Sequence, residues 1–301
     1  MDDVSIERTR QVVGPLQWRR RARRRIVQIV AKAIEYVILS AIGIILMIPF
    51  IWMVSTSFKP RGTEFLWPPQ LMPDPPVPEN YLTVWTLLPF GIYLRNTLTI
   101  TILNMIGGIT TSLMAAYAFS RLRFPYRDAL FTLCISTMML PFVVTLVPSF
   151  VLFKYLGWVD TFLPLIVPNW IGASSFFVFL GRQFFSIIPN ELEDAARMDG
   201  ASSFRIWSSI MVPLSKPVIA AMAVFSFQGN WNAFMEPLIY LQDEQKLTLA
   251  VGLASLHGVF STEWNLLMAI STVFTIPMVI LFFLAQRHFM RGIVTTGLAG
   301  R

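Results

Sequence analysis

A polar stretch at residues 191–200 holds the side chains of this chain that are best suited to chemistry. It reads Glu-Leu-Glu-Asp-Ala-Ala-Arg-Met-Asp-Gly and carries four carboxylates and one guanidinium. Such groups form ion pairs and charge-assisted hydrogen bonds with a partner, and the small alanines between them let another backbone approach closely. The stretch therefore predicts a binding surface of carboxylates and small side chains.

The same residues have the features of a short helix. Pro189 suits the first turn of such a helix, and Gly200 suits the position just past its end. Glu193 and Arg197 are spaced i,i+4 for an ion pair in the better orientation. Acidic residues near a helix start complement the helix dipole, and three are present: Glu191, Glu193 and Asp194.

One face of this helix is predicted to be shallow. Residues spaced i, i+3, i+4 and i+7 share a face, and here they are Leu192, Ala195, Ala196 and Asp199. A second short helix is predicted at 203–212, capped by Ser202 or Ser203 and ended by Pro213. The two helices, joined at Ala201-Ser202, form a compact elbow (residues 191–213). An elbow can transmit a push that a long flexible loop would absorb.

The rest of the chain indicates what holds the elbow. Of the 301 residues, 55% are hydrophobic and only 14% are charged, whereas soluble domains carry about 25% charged residues. A helix that crosses a bilayer needs about 20 mostly apolar residues. Six uncharged runs approach or exceed that length: 36–58, 96–120, 129–153, 161–181, 217–235 and 264–286. The fifth span is expected to extend beyond its uncharged run, to residue 240. We expect an all-α polytopic membrane protein with six transmembrane helices.

The basic residues predict the orientation of these spans. Nineteen of the 24 Lys and Arg lie before the first span, after the last, or in the second–third and fourth–fifth connections. Cytoplasmic loops carry the excess of Lys and Arg, so both termini and the elbow are expected in the cytoplasm. We expect a basic cytoplasmic tail at 1–25 and a transmembrane domain at 26–301, with the elbow in an insert at 185–217. The uncharged run at 247–262 is expected to be an outer-surface or re-entrant segment.

The composition gives little support for chemistry within the chain itself. None of its five lysines follows Gly or precedes Ser or Thr, so a GxxxxGK[ST] phosphate loop is absent. Two histidines and one cysteine assemble no nucleophile–base pair and no metal site. We expect no enzyme activity, no cofactor and no metal in this chain. The Arg-rich tail is expected to meet anionic lipid rather than nucleic acid.

A longer pattern through the elbow resembles a known family. The string Asp194-Ala195-Ala196-x3-Gly200-x9-Ile210-x-Val212-Pro213 resembles the EAA loop in membrane subunits of binding-protein-dependent ABC importers. The wider string at 183–202 is similar to the carbohydrate branch, in particular to maltose/trehalose-type permease subunits with six spans. Weaker strings extend the likeness over roughly 30–301: Ser57-Phe-Lys59, Asn80-Tyr81, 115–119, Phe124-Pro125, Trp231-Asn232, Pro237-Leu238 and 286–292.

The chain departs from the family pattern at three positions. Asp194 stands where the family has Glu, and Val212 stands where it has Leu; both changes are chemically mild. Ala233 replaces an acid that often follows Trp-Asn in the family. An acidic contact with substrate at that position is therefore in doubt.

The resemblance implies a permease subunit in the cytoplasmic membrane of a bacterium or archaeon, importing a sugar or oligosaccharide. ATP and Mg would be bound by separate ABC ATPase subunits. A second, homologous permease subunit and an extracytoplasmic solute-binding protein would complete the assembly, all in contact with the lipid bilayer. The residues expected to couple to the ATPase are Glu191, Leu192, Glu193, Asp194, Ala195, Ala196, Asp199 and Gly200.

Candidates for the solute pathway are amide and aromatic side chains within the spans, which suit the hydroxyls and C–H faces of sugars. The main cluster is Gln228, Asn230, Trp231 and Asn232. Interhelical hydrogen bonding, worth about 0.6 kcal/mol each on average, is the competing interpretation. Another small polar solute, such as a glycerol-phosphate, stays an alternative. An ion-coupled secondary transporter is less favoured, because all six runs lack the charged residues that coupling needs.

Overall fold

The computed structural model describes the backbone of residues 15–259 and 263–298 and the side chains of residues 26–255 and 263–286. Within that part of the chain all regular structure is helical. Its α-helices are α1 Pro15–Ser57, α2 Glu79–Leu87, α3 Phe90–Arg121, α4 Arg127–Ser136, α5 Phe142–Tyr155, α6 Leu163–Ile171, α7 Ser175–Ile187, α8 Glu191–Met198, α9 Ser203–Ile206, α10 Val212–Leu214, α11 Lys216–Trp231, α12 Met235–Tyr240, α13 Leu249–Val259 and α14 Trp264–Leu298. Short 3₁₀ turns at Thr137–Met139 and Glu244–Lys246 and a π turn at Trp207–Met211 interrupt this series.

The chain divides into two compact units, residues 1–54 and residues 55–301. In the first unit the backbone from Pro15 onward belongs to α1, so the arginines at 19–25 lie in the first turns of a helix. The apolar side chains at 26–51 are exposed, which suits a helix surrounded by lipid. The expected boundary between tail and transmembrane domain at residue 25 stays a prediction, and residues 1–14 lie outside the described part.

Helix α3 forms the core of the second unit. It packs against α6, α7, α11 and α13, and its buried side chains contribute to three apolar clusters. Phe90 and Tyr93 lie in the first, Ile100 in a second, and Leu113 and Tyr117 in a third. One continuous helix therefore packs against four other helices and contributes to all three apolar clusters.

Four helical segments in the described residues are long and apolar enough to cross a membrane: Ile26–Ser57, Phe90–Arg121, Leu163–Ile187 and Trp264–Gln286. Two helix pairs reach that length only together, and both are sharply bent. Arg127–Met139 meets Phe142–Tyr155 at 99°, and Ser203–Leu214 meets Lys216–Trp231 at 80°. The described residues thus contain four membrane-length helices, or up to six if each bent pair is one span.

Three of the predicted spans correspond to broken helices, and the run at 161–181 is one of them, since residues 172–174 separate α6 from α7. The run at 129–153 contains the 99° bend at Leu140-Pro141, where proline lacks the N–H that would continue the helix. The predicted fifth span, 217–240, contains α11 and α12 with a break between them. Helix α11 has 16 residues and is about 24 Å long, slightly less than the hydrocarbon thickness of a bilayer.

The uncharged segment after residue 246 forms the short helix α13. Its 11 residues extend about 16 Å, too little to cross a bilayer. Gly252 lies so close to the Tyr93 ring that a Cβ there would come within 2.4 Å of it. The segment is therefore packed tightly on α3, and its outer or re-entrant placement stays a prediction.

Candidate functional site

The first arm of the elbow is the predicted short helix, α8. The backbone N–H of Ala201 donates to Ala196 O at 2.9 Å, and that of Gly200 donates to Arg197 O at 3.0 Å. This is the Schellman arrangement, which places a left-handed residue just past the helix end. Gly200 has a φ of +78°, so its predicted position is confirmed. Pro189 was wrongly placed in the first turn, because Asn190 is the N-cap.

The second arm begins as predicted and ends differently. Ser202 is the N-cap of α9, and its hydroxyl oxygen accepts from the backbone N–H of Arg205 at 3.3 Å. The helix then widens into the π turn, in which Val212 N–H donates to Trp207 O. Pro213 does not end the arm, since it lies in the first turn of α10. A missing N–H has no cost at that position.

The inner face of α8 carries a buried carboxylate. Glu193 is 6% exposed. Its Oε1 accepts from Arg197 Nη2 at 2.7 Å and from Tyr117 Oη at 3.1 Å, and its Oε2 lies 3.8 Å from Arg121 Nε. The predicted i,i+4 pair is thus present, and the hydrogen bond that Arg197 donates to Glu193 raises the pKa of Arg197. Tyr117 and Arg121 belong to α3, so Glu193 fastens α8 to α3.

Arg121 also joins the end of α7 to this cluster. Its Nη2 donates to Phe185 O at 2.5 Å and to Ile188 O. The last carbonyls of a helix have no partner within the helix, and a cation near them also complements the helix dipole. Arg121 therefore holds the C-terminal ends of α3 and α7 and the first turn of α8 together.

Apolar side chains anchor the second arm in the same place. Ile206 and Met211 are at most 1% exposed and belong to the cluster that contains Leu113 and Tyr117 of α3. Ala196 of the first arm packs against that cluster. Both arms of the elbow are thus fixed to α3 by contacts on their inner faces.

The outer face of the elbow is open. Exposed residues on α8 and its C-cap are Glu191, Leu192, Asp194, Ala195, Arg197, Met198 and Asp199. The shallow face expected from spacing is only partly correct, because Ala196 turns inward while Leu192, Ala195 and Asp199 stay outside. Sequence reasoning missed Met198 and Phe204, which are 88% and 64% exposed. Their signal was available: each is a large apolar residue in a polar stretch.

A polar cavity of about 860 Å³ lies beside the inner end of α8. Three arginines from the end of α3 to the start of α4, Arg121, Arg123 and Arg127, line it together with Glu193, Asp194 and Arg197 of the elbow. The cavity leaves room for polar side chains of a partner next to the exposed face.

The predicted pathway cluster lies at the end of α11 and is split by the structure. Gln228 and Asn232 are exposed. Asn230 accepts through its side-chain oxygen from Asn104 Nδ2 at 2.5 Å. Trp231 is fully buried, and its indole N–H donates to Phe274 O at 3.1 Å. In this conformation Trp231 serves helix packing, whereas the amides stay nearer the surface.

Among the described residues, no group of three or more His, Cys, Asp or Glu side chains could hold a metal ion. Fold and site define a helical membrane protein with one polar elbow clamped to its central helix. The chain belongs to the family of binding-protein-dependent transport system inner membrane components, whose sequence profile matches residues 107–295.

The alignments with curated relatives cover most of each relative and most of this chain. The chain is 32% identical over 254 residues to "Probable ABC transporter permease protein YurM" of Bacillus subtilis, covering 84% of this chain and 83% of the relative. It is 33% identical over 266 residues to "sn-glycerol-3-phosphate transport system permease protein UgpE" of Yersinia pestis, covering 85% and 94%.

Solved structures share the fold. A chain of a bacterial ABC transporter involved in the import of the acidic polysaccharide alginate superposes with a TM-score of 0.75 at 22% identity, covering 86% of this chain and 96% of that one. A chain of the MetNI methionine ABC transporter, in an inward-facing conformation, superposes with a TM-score of 0.52 at 17% identity, covering 69% and 97%.

Proposed function

We propose that this permease subunit imports a sugar or oligosaccharide, driven by ATP hydrolysis on a separate ATPase subunit that docks on the elbow. One observation carries the proposal: the elbow is locked to α3 by Glu193 on its inner face and exposes carboxylates and apolar side chains on its outer face. A rigid pair of helices with one face exposed to a partner and the other fixed to α3 can transmit a displacement from that partner to α3.

The predicted coupling residues fall into two groups, those on the outer face of the elbow and those on the face packed against α3. Glu191, Leu192, Asp194, Ala195 and Asp199 would meet the ATPase. Glu193 and Ala196 would hold the helix in place, and Gly200 would set the turn between the arms. We add Met198 and Phe204 to the docking face because Met and aromatic side chains are enriched at protein–protein interfaces.

The solute proposal rests on the side chains at membrane depth. The pathway candidates Gln228, Asn230 and Asn232 are uncharged amides, and no Lys or Arg lies in the six uncharged runs. A neutral polyhydroxyl solute fits such a lining. The second candidate is a glycerol-phosphate, favoured by the likeness to UgpE; its phosphate would need basic groups from outside these runs or from another subunit.

The assembly and topology are proposed on the same basis. We propose six spans with both termini in the cytoplasm: the pair bent at Leu140-Pro141 counts as one span, and the fifth span consists of α11 and α12 at about 217–240. A second, homologous permease subunit would cover part of the exposed apolar surface, for which Val143 and Val147 of α5, 71% and 67% exposed, are candidates. An extracytoplasmic solute-binding protein would deliver the solute, and ATP with Mg would be bound by the ATPase subunits alone.

Reconstitution tests the function. The complex of this chain with its neighbouring permease, ATPase and binding-protein subunits, placed in vesicles, should accumulate radiolabelled sugar only with ATP inside and binding protein outside. The chain alone should neither hydrolyse ATP nor import. Uptake by the single chain, or uptake of glycerol-3-phosphate but of no sugar, would contradict the proposal.

Labelling tests the topology. In a Cys134→Ala background, Met198→Cys and Tyr155→Cys place a thiol at residues 88% and 87% exposed. An impermeant maleimide applied to intact cells should label position 155 and not position 198, and inverted vesicles should reverse the result. Labelling of position 198 from outside would overturn the cytoplasmic placement of the elbow.

A further inference from the structure

Helix α3 differs from the other membrane-length segments. Among those found in the described residues, it alone has neither a proline nor a break: Ile26–Ser57 contains Pro49, Leu163–Ile187 is interrupted after α6, and α14 contains Pro277. The remaining two segments are the bent pairs. A proline or a break lets a helix bend and absorb displacement, whereas a continuous helix moves as one body.

The C-terminal end and the middle of this continuous helix contact two different regions. Near its cytoplasmic-side end, Tyr117 and Arg121 contact Glu193 of α8. Thirteen residues earlier, Asn104 is 3% exposed and donates from Nδ2 to Leu165 O at 2.9 Å and to Asn230 Oδ1 at 2.5 Å. Tyr117 and Asn104 are separated by about 20 Å along the helix axis. The helix thus joins the elbow to the amides at membrane depth.

We propose that α3 carries the displacement of the elbow to the Asn104–Asn230 contact, and that Glu193 is the positioning residue that makes elbow and α3 move together. This inference rests on the proposed function. The chain connections offer a poorer route, since α7 leads into the break at 172–174 and α10 meets α11 at a bend of 80°.

The chemistry of the cluster explains why a carboxylate is needed. Glu193 accepts from Arg197 and Tyr117 through one oxygen and faces Arg121 with the other. Hydrogen bonds to ionised groups are about twice as strong as neutral ones. A glutamine has the same shape but no charge, and one of its two terminal groups is a donor that would face an arginine. Glu193→Gln therefore weakens the contact between α8 and α3 without removing the side chain.

The test uses the purified complete transporter in proteoliposomes and compares Glu193→Gln with Asp128→Asn. Asp128 also pairs with arginines, Arg127 and Arg182, but its side chain is 71% exposed and lies on α4. We expect Glu193→Gln to assemble with the ATPase and hydrolyse ATP while solute imported per ATP falls about tenfold, the factor expected on losing a hydrogen bond to a charged group. Asp128→Asn should keep the wild-type ratio.

Tyr117→Phe is the second variant. It removes one hydrogen bond to Glu193 and keeps the ring against Phe185, whose centroid lies 6.3 Å away. It should lower the ratio in the same direction by a smaller factor, and it carries the test if Glu193→Gln does not assemble. A wild-type ratio in an assembled Glu193→Gln complex, or in Tyr117→Phe when Glu193→Gln does not assemble, overturns the inference alone. Failure of the wild-type complex to import would overturn the proposed function and the inference with it.

Discussion

Gly107 of α3 lies directly against the indole of Trp170 in α6. A Cβ added at Gly107 would come within 2.4 Å of the ring, whereas one added at the next residue, Gly108, would meet nothing closer than 3.9 Å. The absence of a side chain at one position therefore sets how closely α3 and α6 approach each other, and the neighbouring glycine provides a natural control.

Replacing Gly107 by Ala should destabilise the protein by about 1–3 kcal/mol, the usual cost of overpacking. Gly108→Ala should be nearly neutral. Thermal unfolding of the two variants in detergent measures the difference. The double variant Gly107→Ala with Trp170→Leu should recover part of the loss, because the clash is removed. Equal melting temperatures for the two alanine variants would contradict this account.

Substitution of Gly200 tests the turn between the two arms of the elbow. No atom lies within 4 Å of a Cβ added there, so the positive φ of +78° is the only constraint. Valine at such a position costs about 1–3 kcal/mol, whereas asparagine tolerates it. Gly200→Val should insert and assemble but import less solute per ATP, and Gly200→Asn should resemble wild type. Similar uptake by both variants would show that the turn has no role in coupling.

Asp160, in the loop between α5 and α6, holds the segment that follows α12. Its carboxylate accepts from Lys246 Nζ at 2.8 Å and from the backbone N–H groups of Asp243 and Gln242 at 2.9 and 3.0 Å. Asp160→Asn should speed amide hydrogen exchange at residues 242 and 243. Glu244→Gln, an exposed change in the same segment, should leave their exchange rates unaltered. Unchanged exchange in Asp160→Asn would mean that the carboxylate does not hold the segment.

The pH dependence of this contact follows from the same partners. The hydrogen bonds from Lys246 and from the two backbone N–H groups lower the pKa of Asp160 from 3.8 to about 2. A carboxyl whose pKa is depressed on folding stabilises the folded state above its unfolded pKa and loses that contribution as pH falls through its folded pKa. Once corrected for intrinsic chemistry, exchange at residues 242 and 243 should be constant between about pH 5 and 8 and rise only in strong acid. A transition near neutral pH would contradict the assignment.

Asn80 clamps the segment that follows α1. It is 6% exposed, donates from Nδ2 to Ser57 O and Lys59 O at 2.9 and 3.0 Å, and accepts from Asn265 Nδ2 at 3.2 Å. Asn80→Ala removes all three bonds and should cost about 1–3 kcal/mol. Tyr81→Phe, which removes only the 2.7 Å contact with Ser57 Oγ, should cost less in the same unfolding measurement. The reverse order would contradict this ranking.

The local features of the elbow could be predicted from the sequence. Glycine past a helix end, serine at an N-cap and an i,i+4 ion pair depend on neighbours along the chain, and Gly200, Ser202 and Glu193 have these roles in the structure. The strings Ser57-Phe-Lys59 and Asn80-Tyr81 also supported the family likeness, and their hydrogen bonds now give them a physical reason.

Features that depend on distant residues could not be predicted. Spacing alone gave Glu193 an exposed partner role, but its burial depends on Tyr117 and Arg121, more than 70 residues away in sequence. Likewise, an uncharged run marks a segment as apolar without giving its shape, so the run at 129–153 was predicted as one span and the 99° bend within it could not be foreseen. Trp231 was predicted to line the pathway from its residue type, and its contact with Phe274, 43 residues away in sequence, could not be predicted from spacing.

The π turn in the second arm alters which residues of that arm share a side. Ile206 and Met211 are five residues apart, and in a regular α-helix their side chains would diverge by about 140°. A turn closed between residues five apart brings both round to one direction, and both are buried in the same cluster. A helical wheel drawn at the standard pitch would therefore turn Met211 away from the bundle. Deleting one residue within 207–210 would convert the π turn into a regular α-helix in which Ile206 and Met211 stand four residues apart, about 40° from each other, so both anchors would still face the core.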